Sequence, residues 1–318
     1  MRLVFLGTPA FAVPTLEATV KAGHEVAAVL TQPDRPRGRG QNVAVSPVKE
    51  AALRLGLTVY QPERVRRPEA VEYLRGIGCD AMVVVGYGQI IPQSVIDLAP
   101  LGIINVHASL LPKYRGAGPI QWAIVRGETR TGVTTMRINA GLDTGDMLLK
   151  AETEIGPEEN AIELGQRLAV MGADLLVETL EGLRSGRIVP EKQDDAQATL
   201  APLLKKEDGT IEWTEAALAI HNRVRGLQPW PGAQTSFRGT PLHLWRSKSP
   251  TRGSGADQGV CPTAPGQVVS VKPLMVACGD GGLELVEVQL EGRKRIAAAD
   301  FANGQRLTDN DILGEPRV

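Results

Sequence analysis

Short apolar runs alternate with amphipathic stretches over the first two hundred residues. Leu3–Leu6, Glu25–Thr31, Leu57–Tyr60, Ala81–Val85 and Gly102–His107 have the length and β-branched content of strands, and Gly132–Ile138 and Met147–Ile155 continue the series. Helical patterns fall between them at Phe11–Ala22, Pro47–Leu55 and Pro68–Ile77. Pro14 is compatible with the first helix only in its opening turn. Ala81–Val85 is apolar throughout, as suits a strand covered on both faces in a parallel sheet. Asn160–Ser185 places Leu164, Leu168, Met171, Leu175, Leu176 and Leu180 at helical spacing, which predicts one long helix. The alternation predicts an α/β fold with a doubly wound, Rossmann-like N-terminal domain.

The pattern changes near Val189. Residues Pro190–Pro202 are polar and read as a linker. A helix is expected from Thr214, as N-cap, to Arg225, ended by Gly226. Gly- and Pro-punctuated β runs follow at Leu242–Trp245, Gly266–Val271, Leu274–Ala277 and Leu283–Gln289, the pattern of a small OB-like β-barrel, with Thr251–Pro265 as a flexible insertion. The expected organisation is a catalytic domain at 1–189, a linker at 190–207 and a C-terminal barrel domain at 208–318. Trp245, flanked by Leu242 and Leu244, reads as a barrel core residue.

Composition removes several classes. At 318 residues, 42% hydrophobic and 22% charged, the chain supports full cores in two domains. No apolar run reaches membrane-span length, and Met1–Gly7 reads as a strand and turn rather than a leader, so a cytoplasmic protein without membrane association is expected. Cys79, Cys261 and Cys278 are widely spaced, which speaks against a disulfide framework or thiolate zinc site. The four histidines form no metal-binding motif, so no metal is expected. The first strand ends in Gly7-Thr8-Pro9, without GxGxxG, so NAD is not expected; a phosphate loop is also missing.

The densest polar stretch runs from Asn105 to Pro119. Asn105 and His107 stand two apart near the end of a predicted strand, so both project to one side. An amide donor beside an imidazole can polarise a carbonyl and stabilise an oxyanion. Gly141-Leu142-Asp143-Thr144-Gly145-Asp146 adds carboxylates able to orient the histidine or manage a proton. Singly, each also fits a strand-end hydrogen-bonder or a turn; the concentration of polar and bending residues sets them apart.

Asn-x-His followed by Ser109-Leu110-Leu111-Pro112-Lys113-Tyr114-Arg115-Gly116-Ala117-Gly118-Pro119-Ile120, then Gly-Leu-Asp-Thr-Gly-Asp, resembles the folate-dependent formyltransferase family. Val4–Pro9, Thr31–Gly40, Ser46–Lys49, Pro229–Pro231 and Cys278–Gly281 extend the resemblance over nearly the whole chain, with Ala108 a small departure where many relatives have Gly. The resemblance implies Asn105, His107 and Asp143 as catalytic residues and Ser109, Leu110, Leu111 and Pro112 as the tetrahydrofolate-binding segment. It also implies 10-formyltetrahydrofolate as donor and methionyl-initiator tRNA as acceptor. Apart from the resemblance, a monomer is expected.

Net charge is −1, yet the basic residues are grouped. The Gln32–Lys49 loop carries Arg35, Arg37, Arg39 and Lys49 against Asp34 alone. The resemblance marks it as a loop that enters the tRNA acceptor end, with Arg39 its key arginine. From Ala216 to Ala256 there is no acid, whereas Arg223, Arg225, Arg238, Arg246, Lys248 and Arg252 lie there with Trp230, Phe237 and Trp245. That combination suits phosphate neutralisation and base stacking. Lys205 and Lys206 extend the set. A formyltransferase for an amino-sugar nucleotide is the alternative, but has no use for the basic insertion. A purine-pathway formyltransferase would lack the second domain, and a binding-only protein would have no reason to keep Asn105, His107 and Asp143 together.

Overall fold

The computed structural model describes residues 1–37, 42–250 and 264–314. In chain order its first half holds β1 (Arg2–Gly7), α1 (Val13–Lys21), β2 (Glu25–Leu30), β3 (Arg35–Arg37), β4 (Asn42–Ala44), α2 (Pro47–Arg54), β5 (Val59–Tyr60), α3 (Pro68–Ile77), β6 (Ala81–Val85), α4 (Gln93–Ile96) and β7 (Ile103–His107). Then come α5 (Pro119–Val125), β8 (Arg130–Arg137), β9 (Met147–Glu154) and α6 (Ala161–Arg184). Pro14 does sit in the first turn of α1, which a short 3₁₀ turn at Ala10–Ala12 precedes.

Seven strands form one sheet in the order β5-β2-β1-β6-β7-β8-β9. β2, β1, β6 and β7 run parallel, and β8 pairs antiparallel with β7, so this Rossmann-like sheet is mixed. The winding reverses between β1 and β6, which places the carboxyl ends of β1, β6 and β7 side by side, the usual position for a ligand. Every residue of β6 is buried. Ser46 caps α2 by accepting from Lys49 N–H, with Pro47 in the first turn. Asn160 caps α6 through Oδ1, and Glu163 returns a bond to Asn160 N–H, a reciprocal cap that fixes the start of the long helix.

Gln32–Ser46, expected as a loop, contains a hairpin instead. β3 and β4 pair antiparallel, Arg35 opposite Ala44 and Arg37 opposite Asn42. Asp34, at its base, accepts from the Lys49 ammonium and, at 2.9 Å, from the Gln61 amide. Both contacts hold the Asp34 carboxyl below its ordinary pKa. Arg39 lies outside the described residues.

The second half contains α7 (Ala217–Gly226), β10 (Ala233–Phe237), β11 (Thr240–Ser247), β12 (Val268–Val271), β13 (Leu274–Ala277), β14 (Gly282–Leu290), β15 (Ile296–Ala297) and α8 (Ala298–Gln305). β10-β11-β14-β13-β12 form an antiparallel sheet, with β15 added to β14. Its outer strands are linked by the Asp311–Leu313 segment, which bridges Gln267 through Ile312 and Phe237 through Leu313. Trp213, Leu242, Leu244, Val268, Leu283, Phe237 and Phe301 fill its core, the last two rings packing edge to face at 5.3 Å. Trp245 does not belong to that core: Leu242 and Leu244 point inward, and period-two alternation turns Trp245 to the other face. There its indole N–H donates to Gln289 and Arg295 covers its ring. The expected helix start at Thr214 is also displaced. Glu215 and Ala216 are occupied in pairing with Gly279 and Asp280, so α7 begins at Ala217. Thr251–Pro265, expected as an insertion, lies outside the described residues up to 263.

The chain divides into two compact units: Met1–Gly116, Thr131–Thr153 and Gly165–Ala201 form the first; Ala117–Arg130, Glu154–Leu164 and Pro202–Val318 form the second. Residues 190–201 of the expected linker therefore belong to the first unit. In the second, Gly226 of α7 abuts α5 so closely that an added Cβ would lie 2.8 Å from Val125 Cγ2. His221 of α7 is buried, its Nε2 bonded to Pro157 O and its Nδ1 to Ser247 Oγ. Burial pulls its pKa below 6.5, helped by Arg225 and opposed by the Pro157 bond and Glu158. Below about pH 6.5 the unfolded chain then binds more protons at this site than the folded one, so stability falls as pH falls through that window, by up to about 1.4 kcal/mol per pH unit. His221→Gln should show a shallower decline of melting temperature between pH 7.5 and 5 than the parent protein.

Candidate active site

β7 is apolar except at the two positions that matter. Ile103, Ile104 and Val106 are buried, and Val106 faces α6, where an added Cβ at Gly172 would lie 2.7 Å from it. Alternation sends Asn105 and His107 to the opposite face. Asn105 is only half-buried, and its amide has no hydrogen-bond partner among the described residues. A free amide in the middle of a central strand leaves its donors available to a ligand.

His107 is buried and held from both sides. Its Nε2 lies 2.9 Å from Tyr114 O, and its Nδ1 3.7 Å from Asp143 Oδ2. A carbonyl only accepts, so Nε2 carries the proton and Nδ1 of the neutral ring is left with a lone pair. A proton arriving at Nδ1 would meet the Asp143 carboxylate, which stabilises the resulting imidazolium. Asp143 Oδ2 accepts from Gly116 N–H at 2.9 Å, which fixes the carboxylate. Both partners of the histidine stand on left-handed backbone, Tyr114 at φ 62° and Asp143 at φ 51°. For such residues that costs about 1–3 kcal/mol each and persists only where surrounding bonds enforce it.

The expected folate segment is shaped from within. Ser109 Oγ donates to Lys113 O at 2.6 Å, and Thr134 Oγ1 donates to Ser109 O and accepts from Leu111 N–H. Ser109 is fully buried and Leu111 packs with Met136 and Met147, so these side chains build the turn; Leu110 and Pro112 are half-buried. Four further residues that no local motif marks belong to this region: Thr134, Arg115, Gln193 and Thr199. The polar run Gln193-Asp194-Asp195 was the available signal, and it was read as part of a linker.

The basic residues separate into two groups. Arg35, Lys205 and Lys206 are exposed; Arg37 lies in β3. Lys49 is paired with Asp34 at the hairpin base. Arg225 is buried, donating to Asn222, Gly156 O and Glu159 O, and Arg223 donates to Asp208 O and Thr210 O beside Glu215. These three cations hold protein groups, so they are poorly placed to meet phosphate. Arg238 pairs with Asp311 and Lys248 with Glu284, acids that lie outside the acid-free stretch. Arg246 is exposed with no acidic partner among the described residues, and Trp230 is 53% exposed. Among the described residues no group of His, Cys, Asp and Glu could hold a metal ion, and no helix is long and apolar enough to cross a membrane. Burial pushes the Cys79 thiol up to about 11 and Cys278 to about 12, so neither offers a thiolate near neutral pH.

Residues 1–180 match the family described as formyl transferase, and residues 203–306 match the formyl transferase C-terminal domain. The chain belongs to the formyl transferase family. It is 79% identical over 315 residues, covering 99% of both chains, to the methionyl-tRNA formyltransferase of Solibacter usitatus. It is 55% identical over 318 residues, again 99% of both, to that of Koribacter versatilis. The solved N-formyltransferase from Helicobacter canadensis shares the fold at TM-score 0.64 and 17% identity, over 92% of this chain and 99% of that one. Asn105, His107 and the Asp143 loop thus lie within the part of the chain matched as formyl transferase.

Proposed function

We propose that this enzyme transfers the formyl group of 10-formyltetrahydrofolate to the free amino group of methionyl-initiator tRNA, giving the N-formyl product used to start translation. The observation that carries this reading is the 79% identity, end to end, with the Solibacter usitatus methionyl-tRNA formyltransferase. The amine attacks the formyl carbon, a C–N bond forms, and the carbonyl oxygen gains negative charge. The Asn105 amide donates to that oxyanion. Nε2 of His107 is engaged by Tyr114, so Nδ1 is the ring atom left to take the proton lost by the amine, with Asp143 beside it. Collapse breaks the bond to the folate nitrogen, which recovers a proton.

In this reading Ser109–Pro112 line the donor site, with the first domain (1–189) catalytic and the C-terminal domain (208–318) a tRNA-binding OB-like module. Arg35 and Arg37 in β3, together with Arg39, Lys205, Lys206 and Arg246, supply phosphate contacts, and Trp230 a stacking surface. The protein works as a cytoplasmic monomer. Offering the donor with charged initiator tRNA, charged elongator tRNA and an amino-sugar nucleotide in parallel tests the assignment. Formylation of initiator tRNA is expected, with a raised KM for tRNA in a Lys205→Ala, Lys206→Ala variant. Formylation of the sugar alone would establish the alternative.

A further inference from the structure

Residues 191–201 form a strap across the loops that hold His107. Glu191 pairs with Met147 at one end. At the other, Leu200 pairs with Arg115, and Thr199 Oγ1 accepts from Tyr114 N–H at 2.9 Å. Gln193 lies between these anchors and bonds in both directions. Its Nε2 donates to Asp143 O and to Gly145 O, each at 2.8 Å. Its Oε1 accepts from Arg115 Nε at 2.9 Å, and the Arg115 guanidinium also donates to Asp195. Arg115 directly precedes Gly116, whose N–H holds the Asp143 carboxylate. Gln193 therefore joins the backbone of Asp143 to the loop that fixes the carboxylate of Asp143.

We propose that Gln193 is a positioning residue for formyl transfer, which keeps Asp143 in its left-handed conformation and its carboxylate against Nδ1 of His107. A primary amide is suited to this place: it offers two donors for two carbonyls and one acceptor for the arginine. Nothing else among the described residues donates from a side chain to the carbonyls of Asp143 and Gly145. Without that clamp a residue at φ 51° relaxes toward the common regions, and its carboxylate leaves the 3.7 Å position beside the ring. Displacement of a catalytic group by about 1 Å lowers turnover by about 100-fold.

The inference rests on the reading of Asp143 as a catalytic group, and the experiment separates the two. Turnover and both KM values are measured for Gln193→Ala, Gln193→Glu, Asp143→Ala and the Gln193→Ala, Asp143→Ala double variant, with melting curves for each. Gln193→Ala is expected to lower kcat by about 10- to 100-fold with little change in KM for either substrate. Gln193→Glu keeps the acceptor for Arg115 but cannot donate to the carbonyls, so it should be comparably slow. In the Asp143→Ala background the Gln193 change should cost nothing further, because its effect passes through Asp143. Parental kcat in Gln193→Ala, full activity in Gln193→Glu, or an equal further loss in the double variant would overturn the proposal. Parental turnover in Asp143→Ala would instead remove the catalytic reading of Asp143 on which it stands.

Discussion

Asn105→Ala is expected to turn over about 10²- to 10³-fold more slowly than the parent enzyme, the scale set by loss of one donor to a developing oxyanion. The physical case rests on where the side chain stands. β7 lies between β6 and β8, with Asn105 opposite Val84 on one side and Met136 on the other. The sheet fixes its backbone on both sides, so the amide is held without needing a hydrogen bond of its own. Its donors are then pre-organised for charge that appears only during reaction. Replacement by alanine removes no internal bond among the described residues, so melting temperature should change little while single-turnover rate falls. Asn105→Asp should be no better, since an ionised carboxylate offers no donor and adds repulsion to the oxyanion. A single-turnover rate for Asn105→Ala within threefold of the parent, about 0.7 kcal/mol, would remove this residue from the mechanism.

Gly145→Ala should cost about 3 kcal/mol of stability. Gly145 passes directly against the end of β8: an added Cβ would lie 1.8 Å from Arg137 O and 2.9 Å from its carbonyl carbon. That obstacle is backbone, which cannot rotate out of the way as a side chain can. The 143–146 loop must retreat, and with it go the bond from Arg137 N–H to Asp146 O and the Gln193 bond to Gly145 O. Thermal melting should fall by several degrees, at about 2–4 °C per kcal/mol, and activity should fall with it because Asp143 shares the loop. Parental melting behaviour in this variant would show that the 143–146 loop retreats from Arg137 without cost.

The parts of the fold readable from sequence were those with a strong local signal. β6 is a continuous apolar run, and α6 carries Leu164, Leu168, Leu175, Leu176 and Leu180 at helical spacing. Asn105 and His107 were readable because a period of two put them on one face. The β3–β4 hairpin was not, since two three-residue strands show no periodicity. β10, Ala-Gln-Thr-Ser-Phe, is too polar to read as a strand, and it forms because β11 lies beside it. Charge was the least readable property. The acid-free stretch is basic only along the chain: Arg238 finds Asp311 73 residues away, and Arg225 turns inward. Gln193 was missed for the same reason, since its partners, Arg115, Asp143 and Gly145, are close only in three dimensions.

The interleaving of the two units has a consequence for synthesis. α5 leaves the ribosome early, but the surfaces that cover it belong to much later chain. Trp122 donates to Pro202 O, 80 residues on, and the side of α5 at Ile124 and Val125 is covered by α7 beyond that. At usual translation speeds of about 5–20 residues per second, the side of this helix at Val125 waits roughly 5–20 s for Gly226 of α7. The nascent chain therefore passes through an interval in which an unfinished patch is open to wrong partners.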